Sequence, residues 1–199
     1  MFWSLRRFVF LSKNPGVFFK QLSQVSDGIS VEKRETSFSF SRIDTIDSNF
    51  EKKITEVLAS IDYKPPFSLE DASSRLNRGE LFVVIYHDVE IAGWGWFALA
   101  KAECEEFNCS IKIRDGQAYA YNIFVNKKYR GNDLATHLLT SSEPYLRQLN
   151  VDLVWAIIYD WNVPSQKAFV KAGYEKIGYY KMLNVLGVKF HHCPDIIKG

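Results

Sequence analysis

Hydrophobic and polar residues alternate, or recur at regular spacing, along the first half of the chain. Two phenylalanines alternate with serines over 37–43, which predicts a half-buried strand. Apolar residues then recur at helical spacing over 50–61, which predicts a helix. Ser48 and Glu51, three residues apart at its start, predict a capping box. The same spacing at Ser68 predicts a second, shorter helix that ends at Gly79.

From residue 81 the pattern changes to apolar runs that are typical of strands. The runs at 81–86 and 91–100 flank a turn and predict a β-hairpin. Residues 102–116 fit either a further pair of strands or a loop over the site. The later predicted elements are a strand at 117–126, a helix at 133–149, a strand at 151–158, a helix at 164–172, and strands at 174–182 and 184–191.

The order strand, helix, strand between residues 117 and 158 predicts a right-handed crossover, which makes the two strands parallel neighbours. The other strands follow one another closely enough to pair antiparallel. The sequence therefore predicts an α/β (α+β) fold, in which a mixed and mostly antiparallel sheet has helices on both faces.

We divide the chain into an N-terminal arm with a linker, residues 1–36, and one folded domain, residues 37–199. Residues 1–20 contain four basic residues and no acidic one, beside many aromatic residues. Two interpretations remain open for this leader. It is either an arm that packs on the domain or on a second copy in a homodimer, or a segment that contacts a membrane surface weakly. Its apolar stretch is too short for a secretion signal or a transmembrane segment.

Composition narrows the function classes. The chain is 47% hydrophobic and 24% charged, as expected of a globular domain, and its aromatic content of 15% is high. Outside the leader, 21 basic residues stand against 23 acidic ones, so we expect no nucleic-acid partner. Three cysteines without a close pair argue against disulfides and zinc, and His191 and His192 would bind a metal only with a third ligand that the sequence does not identify. We therefore expect a cytoplasmic protein without a metal.

A basic, glycine-containing turn connects the strand at 117–126 to the following helix. Such a turn presents unpaired N–H groups at the positive end of a helix dipole, where a phosphate group can bind. On these grounds alone the signal is weak, because every strand-to-helix turn has free N–H groups.

Two motifs strengthen that signal, because they resemble those of the GNAT (GCN5-related N-acetyltransferase) superfamily. The first resembles the family's pyrophosphate loop and consists of Arg130, Gly131, Asn132, Asp133, Leu134 and Ala135. The second resembles a later family signature and consists of Asn162, Ser165, Phe169, Gly173 and Tyr174. Both occur in the family's order and at its separation, and the resemblance spans about residues 37–182.

The resemblance implies a GNAT-like acyltransferase with acetyl-CoA as co-substrate. The pyrophosphate of coenzyme A would bind the N–H groups from Gly131 to Thr136, with charge from Arg130 and one of the two lysines before it. The pantetheine arm would lie where the central parallel strands splay apart, along Phe124 and Val125. The second motif would complete the coenzyme site.

The chain departs from the family pattern at two positions. Asp133 stands where the family usually has glycine, and we expect its side chain to turn away from the pyrophosphate and cap the helix that begins at Leu134. Phe169 stands where many members have a tyrosine that protonates the leaving sulfur, and phenylalanine has no proton to give. The resemblance therefore implies weaker binding of coenzyme A and a different acid.

Direct attack of an amine on a thioester needs a base, a donor that polarises the carbonyl, and an acid for the leaving thiolate. The family often draws its base from the strand at 117–126, which contains no carboxylate here. Asp160, at the end of the parallel strand, is the best-placed carboxylate. The alternatives, from the flanking loop, are Glu103, Glu105, Glu106 and Asp115. Tyr121 and Tyr159 are the candidate proton donors, with Ser165 as a further hydroxyl nearby. Water alone is the other alternative, because a thiolate is a good leaving group.

Aromatic residues near the predicted cleft are candidates for the acceptor site. Tyrosine and tryptophan need partners for their polar tips when they are buried, so a wet cleft suits them, although several of them must fill the core. The residues that we predict to bind the acceptor are Trp94, Trp96, Tyr119, Asn122 and Trp161.

The sequence thus predicts an acyl-CoA-dependent N-acyltransferase, which transfers acetyl from acetyl-CoA to the amine of a small molecule or an amino sugar. Two alternatives stay open. A longer acyl chain, carried by coenzyme A or by acyl carrier protein, is consistent with Asp133 and with the aromatic leader. A catalytically inactive module that binds coenzyme A is consistent with Phe169 and the missing carboxylate.

Overall fold

The computed structural model describes residues 15–22, 37–62, 65–104, 109–179, 181–185 and 188–192. The leader residues 1–14 and most of the linker lie outside these ranges, as do the side chains of His191 and His192. The two interpretations of the leader therefore stay predictions for residues 1–14.

The described residues form strands and helices in the following order. The strands are β1 (Gly16–Gln21), β2 (Phe38–Ile43), β3 (Leu81–His87), β4 (Glu90–Ala98), β5 (Lys101–Cys104), β6 (Cys109–Lys112), β7 (Gln117–Val125), β8 (Leu153–Ile158), β9 (Glu175–Tyr179), β10 (Lys181–Val185) and β11 (Val188–His192). The helices are α1 (Ser48–Ala59), α2 (Leu69–Asn77), α3 (Leu134–Gln148) and α4 (Val163–Lys171), and a short 3₁₀ helix covers Lys127–Tyr129.

Seven strands form the main sheet, in the order β2, β3, β4, β7, β8, β1 and β9. β7 and β8 run parallel, and the other strand pairs among the described residues are antiparallel. The predicted mixed sheet with a central parallel pair is therefore confirmed.

The alternation of side chains along β3 shows how the sheet separates two helical layers. Phe82 and Val84 pack with α1 and α2 on one face, whereas Leu81, Val83 and Ile85 pack with α3 on the other. Successive side chains of a strand point to opposite faces, so one run of apolar residues serves both layers. Helices cover both faces, as predicted.

β1 lies inside the sheet, between β8 and β9, and pairs antiparallel with both. Val17 and Phe18 are almost fully buried, in clusters on opposite faces. The ammonium group of Lys20 contacts Glu143 at 2.6 Å and the carbonyl oxygen of Ala172 at 2.7 Å. The sequence predicted an arm that packs on the domain or on a second copy, with the domain itself beginning at residue 37. In the structure this segment is a strand of the main sheet, and it satisfies backbone groups of two neighbouring strands that would otherwise be open edges.

The local signals at the first helix and in the region 102–116 also have outcomes. Asp47, not Ser48, caps α1, because the Asp47 carboxylate accepts a hydrogen bond from the backbone N–H of Phe50. The capping box of Ser68 and Asp71 at α2 is confirmed.

The region 102–116 contributes the hairpin β5–β6. β10 and β11 form a separate hairpin. None of the helices in the described ranges has the length and apolarity to cross a membrane.

Candidate functional site

β7 and β8 are paired only where they begin. Residues 117–119 of β7 pair with residues 153–155 of β8, and no further pair of these two strands follows among the described residues. Beyond Tyr119, β7 pairs with β4 on its other side. The edge of β7 that faces β8 therefore carries N–H and C=O groups that β8 does not satisfy, and the strands open into a cleft.

A β-bulge in β7 sharpens this opening. Trp94 of β4 pairs with Phe124 and Trp96 pairs with Tyr121, so that Asn122 and its neighbour lie opposite a single residue. Asn122 has a φ of +47°, a conformation that asparagine tolerates better than most residues. Its amide also donates a hydrogen bond of 3.3 Å to the carbonyl oxygen of Pro66. This contact ties the bulge to the segment that leads into α2.

The cleft has a volume of about 1310 Å³ and lies between the ends of β7 and β8, the turn after β8, and α2. The predicted site residues that line it are Tyr119, Tyr121, Asn122, Phe124, Tyr159, Asp160, Trp161, Asn162, Ser165 and Phe169. Val125 and the loop 130–136 lie outside its lining, as do Trp94 and Trp96.

Trp94 and Trp96 are fully buried, so their predicted place in the acceptor wall is wrong. Trp96 stacks on Phe82 with ring centroids 4.0 Å apart, and Trp94 stacks on Phe124 at 4.3 Å. Both residues lie on the face of β4 that α1 and α2 cover, because residues two apart in a strand share a face. They support the cleft from behind.

The other predicted acceptor residues do reach the cleft. Tyr119 and Tyr121 stack with centroids 5.6 Å apart, and Tyr119 is itself largely buried against Trp155. Trp161 is 76% exposed and stacks on Tyr159 at 5.4 Å. The cleft therefore has a buried aromatic floor and an exposed aromatic rim.

The turn from Tyr159 to Asn162 is held in place by α4. The side-chain amide of Gln166 donates to the carbonyl oxygens of Tyr159 and Asp160, at 3.0 and 3.1 Å. Asn162 caps α4 by accepting a hydrogen bond from the N–H of Ser165. The Asp160 carboxylate lies 3.3 Å from the Lys176 ammonium and stays more than half exposed. Asp160 is thus a fixed carboxylate that solvent reaches.

Tyr121 contacts a buried carboxylate that the sequence did not single out. Its hydroxyl donates a hydrogen bond to Glu80, whose side chain is only 3% exposed and also pairs with Arg78 at 2.7 Å. Burial raises the pKa of Tyr121, and the negative charge of Glu80 adds to the rise although Arg75 opposes it. Tyr121 therefore keeps its proton. The sequence signal that could have identified Glu80 is its position directly before the apolar strand β3.

The loop before α3 presents the N–H groups of a helix start. Gly131 has a φ of +89°, and a Cβ added there would meet no atom within 4 Å, so the loop is open around it. The N–H groups of Leu134, Ala135 and Thr136 belong to the first helical turn, where no carbonyl of the helix can accept from them. Thr136 also donates from its hydroxyl to the carbonyl of Ala168 in α4, which places this loop beside the cleft wall.

Asp133 is the N-cap residue of α3, but its side chain does not cap the helix, contrary to the prediction. Its φ of +54° is left-handed, and its carboxylate makes no hydrogen bond to the first turn. The carboxylate instead contacts the Lys171 ammonium of α4 at 2.5 Å. Its side chain does turn away from the loop, but the left-handed backbone directs it toward α4 rather than over the helix start.

The basic residues of the loop differ in their partners. Arg130 is exposed, and its Nε donates to the carbonyl oxygen of Val125 at 3.2 Å. The ammonium of Lys127 contacts Asp62, and that of Lys128 contacts Glu90 at 2.7 Å. Because the two lysines are paired with carboxylates on the surface, Arg130 is the better placed cation for an anion at this loop.

Phe169 is buried at the inner end of the cleft. Its ring packs edge-on against Tyr174, with centroids 4.8 Å apart, and lies 6.3 Å from Phe18 of β1. Burial raises the pKa of Tyr174, and the charge of Glu143 raises it further, so the Tyr174 hydroxyl is held neutral. Phe169 therefore contributes no proton donor of its own to this end of the cleft.

Comparison with known proteins agrees with this geometry. A family model described as "Acetyltransferase (GNAT) family" matches residues 49–174, which include β7, the loop, α3, β8 and α4. The search of curated protein sequences finds no match.

Several solved structures share the fold. An acetyltransferase of the GNAT family from Colwellia psychrerythraea is 12% identical with a TM-score of 0.59, over 87% of this chain and 57% of that one. A tandem GNAT protein from the clavulanic acid biosynthesis pathway is 15% identical with a TM-score of 0.56, over 85% and 52%. The ribosomal-protein-S18-alanine N-acetyltransferase from Escherichia coli is 14% identical with a TM-score of 0.52, over 70% and 79%. The chain spans little more than half the length of the first two.

Proposed function

Because the chain belongs to the GNAT acetyltransferase family, we propose that it transfers an acetyl group from acetyl-CoA to the amine of a small molecule or an amino sugar. The observation that carries this proposal is the parallel pair β7–β8, which separates beyond Tyr119 and leaves an open strand edge beside the start of α3. The N–H groups at the start of α3 suit a pyrophosphate, and the open edge of β7 suits an extended chain that contains amides.

The residues present fit acetyl-CoA as co-substrate. The N–H groups from Gly131 to Thr136 and the Arg130 guanidinium would hold the pyrophosphate, since a helix start and a cation both favour anions. The edge of β7 that β8 leaves open near Phe124 and Val125 would hydrogen-bond the pantetheine amides, as an added strand does. The Val125 carbonyl oxygen would exchange its contact with Arg130 for one with an amide, which frees the guanidinium for the pyrophosphate. When bound, acetyl-CoA supplies an activated acetyl thioester.

The opposite wall of the cleft belongs to the second motif. Asn162 and Ser165 fix the start of α4, and Phe169 presents an apolar surface at the inner end. These residues would line the coenzyme arm and exclude water from it. Exclusion of water matters because hydrolysis of a thioester competes with transfer to the amine.

The chain offers groups for the proton transfers at the open end of the cleft. Asp160 would accept the proton of the acceptor amine through a water molecule, since its carboxylate is fixed by the turn and reached by solvent. Tyr159 would donate a hydrogen bond to the leaving thiolate, in the role that Phe169 cannot fill. Tyr121 commits its proton to Glu80, so its oxygen is left to accept a hydrogen bond from the amine.

The acceptor would lie between the aromatic floor and rim. Tyr119, Asn122 and Trp161 line this region, and stacking on exposed Trp161 suits a flat amine or a sugar ring. The buried pair Trp94 and Trp96 would act only as a support.

Titration calorimetry with acetyl-CoA and an assay of thiol release with a panel of amines test the proposal. We expect binding that weakens about tenfold in Arg130→Ala, the effect of one lost charge-assisted contact. Asp160→Asn should lower kcat about 100-fold, the usual contribution of a general base, whereas Asp152→Asn, an exposed carboxylate before β8, should not.

Three other results have distinct meanings. No heat of binding with acetyl-CoA would overturn the proposal. Binding without thiol release for any amine would favour the inactive module instead. Turnover that increases along a series from acetyl- to octanoyl-CoA would favour the longer acyl donor.

A further inference from the structure

The guanidinium group of Arg75, in α2, is not paired with a carboxylate of any described residue. Its Nη1 is buried and has no hydrogen-bond partner. Arg75 also forms no ion pair with a carboxylate in the described parts of the chain. A guanidinium has five N–H donors and stays charged at every physiological pH, so a buried donor without a partner is costly.

Aromatic rings hold this group in the wall of the cleft. The guanidinium carbon lies 5.0 Å from the ring centroid of Tyr121, 5.3 Å from that of Trp96 and 5.5 Å from that of Phe67. These distances are within the range of cation–π attraction, which positions the charge without using its N–H donors. Arg75 also lines the cleft together with Tyr121 and Phe67.

The nearby carboxylates already have other partners. Glu80 accepts hydrogen bonds from Arg78 and Tyr121, so its charge is matched by Arg78. Asp71, one helical turn before Arg75, accepts a hydrogen bond of 3.0 Å from the backbone N–H of Ser68. A positive charge whose Nη1 donor has no partner therefore remains in the wall of the cleft, where the acceptor would lie.

We propose that Arg75 binds a carboxylate of the acceptor, so that the acceptor is an amine that also carries a carboxylate, as an amino acid does. This inference rests on the proposed function. A planar guanidinium matches a carboxylate in a two-pronged contact, and one uncompensated charge matches a monoanion better than a phosphate with almost two charges. The aromatic surroundings strengthen the contact because they keep water away from it.

Matched pairs of amino acids and their carboxamides test this assignment. We would measure thiol release from acetyl-CoA with each pair, and binding of each compound to the CoA complex by saturation-transfer NMR. We expect the wild type to favour the carboxylate member. Arg75→Met should lower kcat/KM for that member about 10- to 100-fold, the range for a lost charge-assisted contact, and leave the carboxamide unchanged.

Two further variants separate charge from fold. Arg75→Lys keeps the charge without the planar fork and should recover part of the preference. Arg42→Met removes an arginine that pairs with Asp44 on the far edge of the sheet, and it should change neither member of a pair. Thermal unfolding of all variants shows whether they fold.

The outcomes are distinguishable from failure of the proposed function. If acetyl-CoA does not bind, the proposed function fails. If acetyl-CoA binds but carboxamides react as well as acids, or if Arg75→Met lowers both alike, the role of Arg75 is wrong. Binding of acetyl-CoA without binding or reaction of any carboxylate-bearing amine overturns it as well.

Discussion

The hydroxyl group of Tyr121 donates a hydrogen bond to the carboxylate of Glu80, which precedes it by 41 positions in the chain. Glu80 stands directly before β3, and Tyr121 lies in β7 beside the bulge. Their contact joins the floor of the cleft to the C-terminal end of α2, where Arg78 forms an ion pair with Glu80. Because burial removes water from the Glu80 carboxylate, the loss of either partner would leave one of its oxygens without a hydrogen bond.

Tyr121→Phe should lower the free energy of unfolding by about 1–3 kcal/mol, because it leaves one oxygen of a buried carboxylate without a donor. Urea unfolding measures this change. The matched control is Tyr179→Phe, since Tyr179 is 44% exposed, and it should stay within about 0.5 kcal/mol of the wild type. Equal effects of the two variants would contradict the structural role of the Tyr121 hydroxyl.

Stability should fall as pH rises above about 10, the ordinary pKa of tyrosine. Burial raises the pKa values of Tyr121 and Tyr174 in the folded protein, so above pH 10 the unfolded chain releases protons that the folded chain retains. The stabilisation is complete below that pH and is lost as pH approaches the raised values. Urea unfolding at a series of alkaline pH values should show a shallower decline in Tyr121→Phe and in Tyr174→Phe than in the wild type.

The crossover from β7 through α3 to β8 could be predicted because its signals are local. Periodicity gave the helix, a short glycine-containing turn gave its start, and the chirality of such crossovers gave the parallel pair. The cleft follows from that pair. Asp160 and Trp161 could be placed for the same reason, since residues that end a parallel strand lie at the mouth of the cleft.

The remaining features depend on contacts that are distant in sequence. Strand β1 occupies the space between β8 and β9, and nothing in its own residues encodes that partner choice. Glu80 comes close to Tyr121 through the register of β3, β4 and β7, and Arg75 does so through the packing of α2 on the sheet. The burial of Trp96 depends on which face of β4 the first two helices cover, and the alternation of residues alone leaves that face undecided.

Replacement of Asp133 should strengthen the proposed binding of acetyl-CoA. Asp133→Asn removes a negative charge beside the pyrophosphate loop and keeps a residue that tolerates the left-handed backbone. We expect Kd to fall about threefold at low salt and the gain to shrink as salt screens it. Titration calorimetry at two ionic strengths measures both effects. An unchanged Kd at low salt would show that the Asp133 charge, which contacts Lys171, is already neutralised.

Lys20 should anchor β1 in the sheet. Lys20→Met removes the ion pair with Glu143, whose side chain is 13% exposed, and the hydrogen bond to the carbonyl of Ala172. We expect a loss of about 1–3 kcal/mol in the free energy of unfolding, compared with less than about 0.5 kcal/mol for Lys52→Met on the exposed side of α1. In a double-mutant cycle, Lys20→Met and Glu143→Gln should be less than additive, because they remove the same contact. Additive losses would show that the two groups act independently.

Asn122 should serve coenzyme binding through its backbone conformation. Asn122→Ala places a residue that disfavours positive φ at the bulge, which should cost about 1 kcal/mol of stability. It should also raise Kd for acetyl-CoA, because relief of the strain moves the open edge of β7. Asn122→Gly should keep the affinity of the wild type.

Asn150 provides a matched control for this effect. It has a similar φ of +58° but lies between α3 and β8. This is the opposite end of β8 from the turn at Tyr159 to Asn162, which lines the cleft. Asn150→Ala should therefore lose a similar amount of stability and bind acetyl-CoA normally. Urea unfolding and titration calorimetry on both alanine variants make the comparison. If Asn150→Ala weakens binding as much as Asn122→Ala, the effect reflects general destabilisation and the bulge has no specific part in binding.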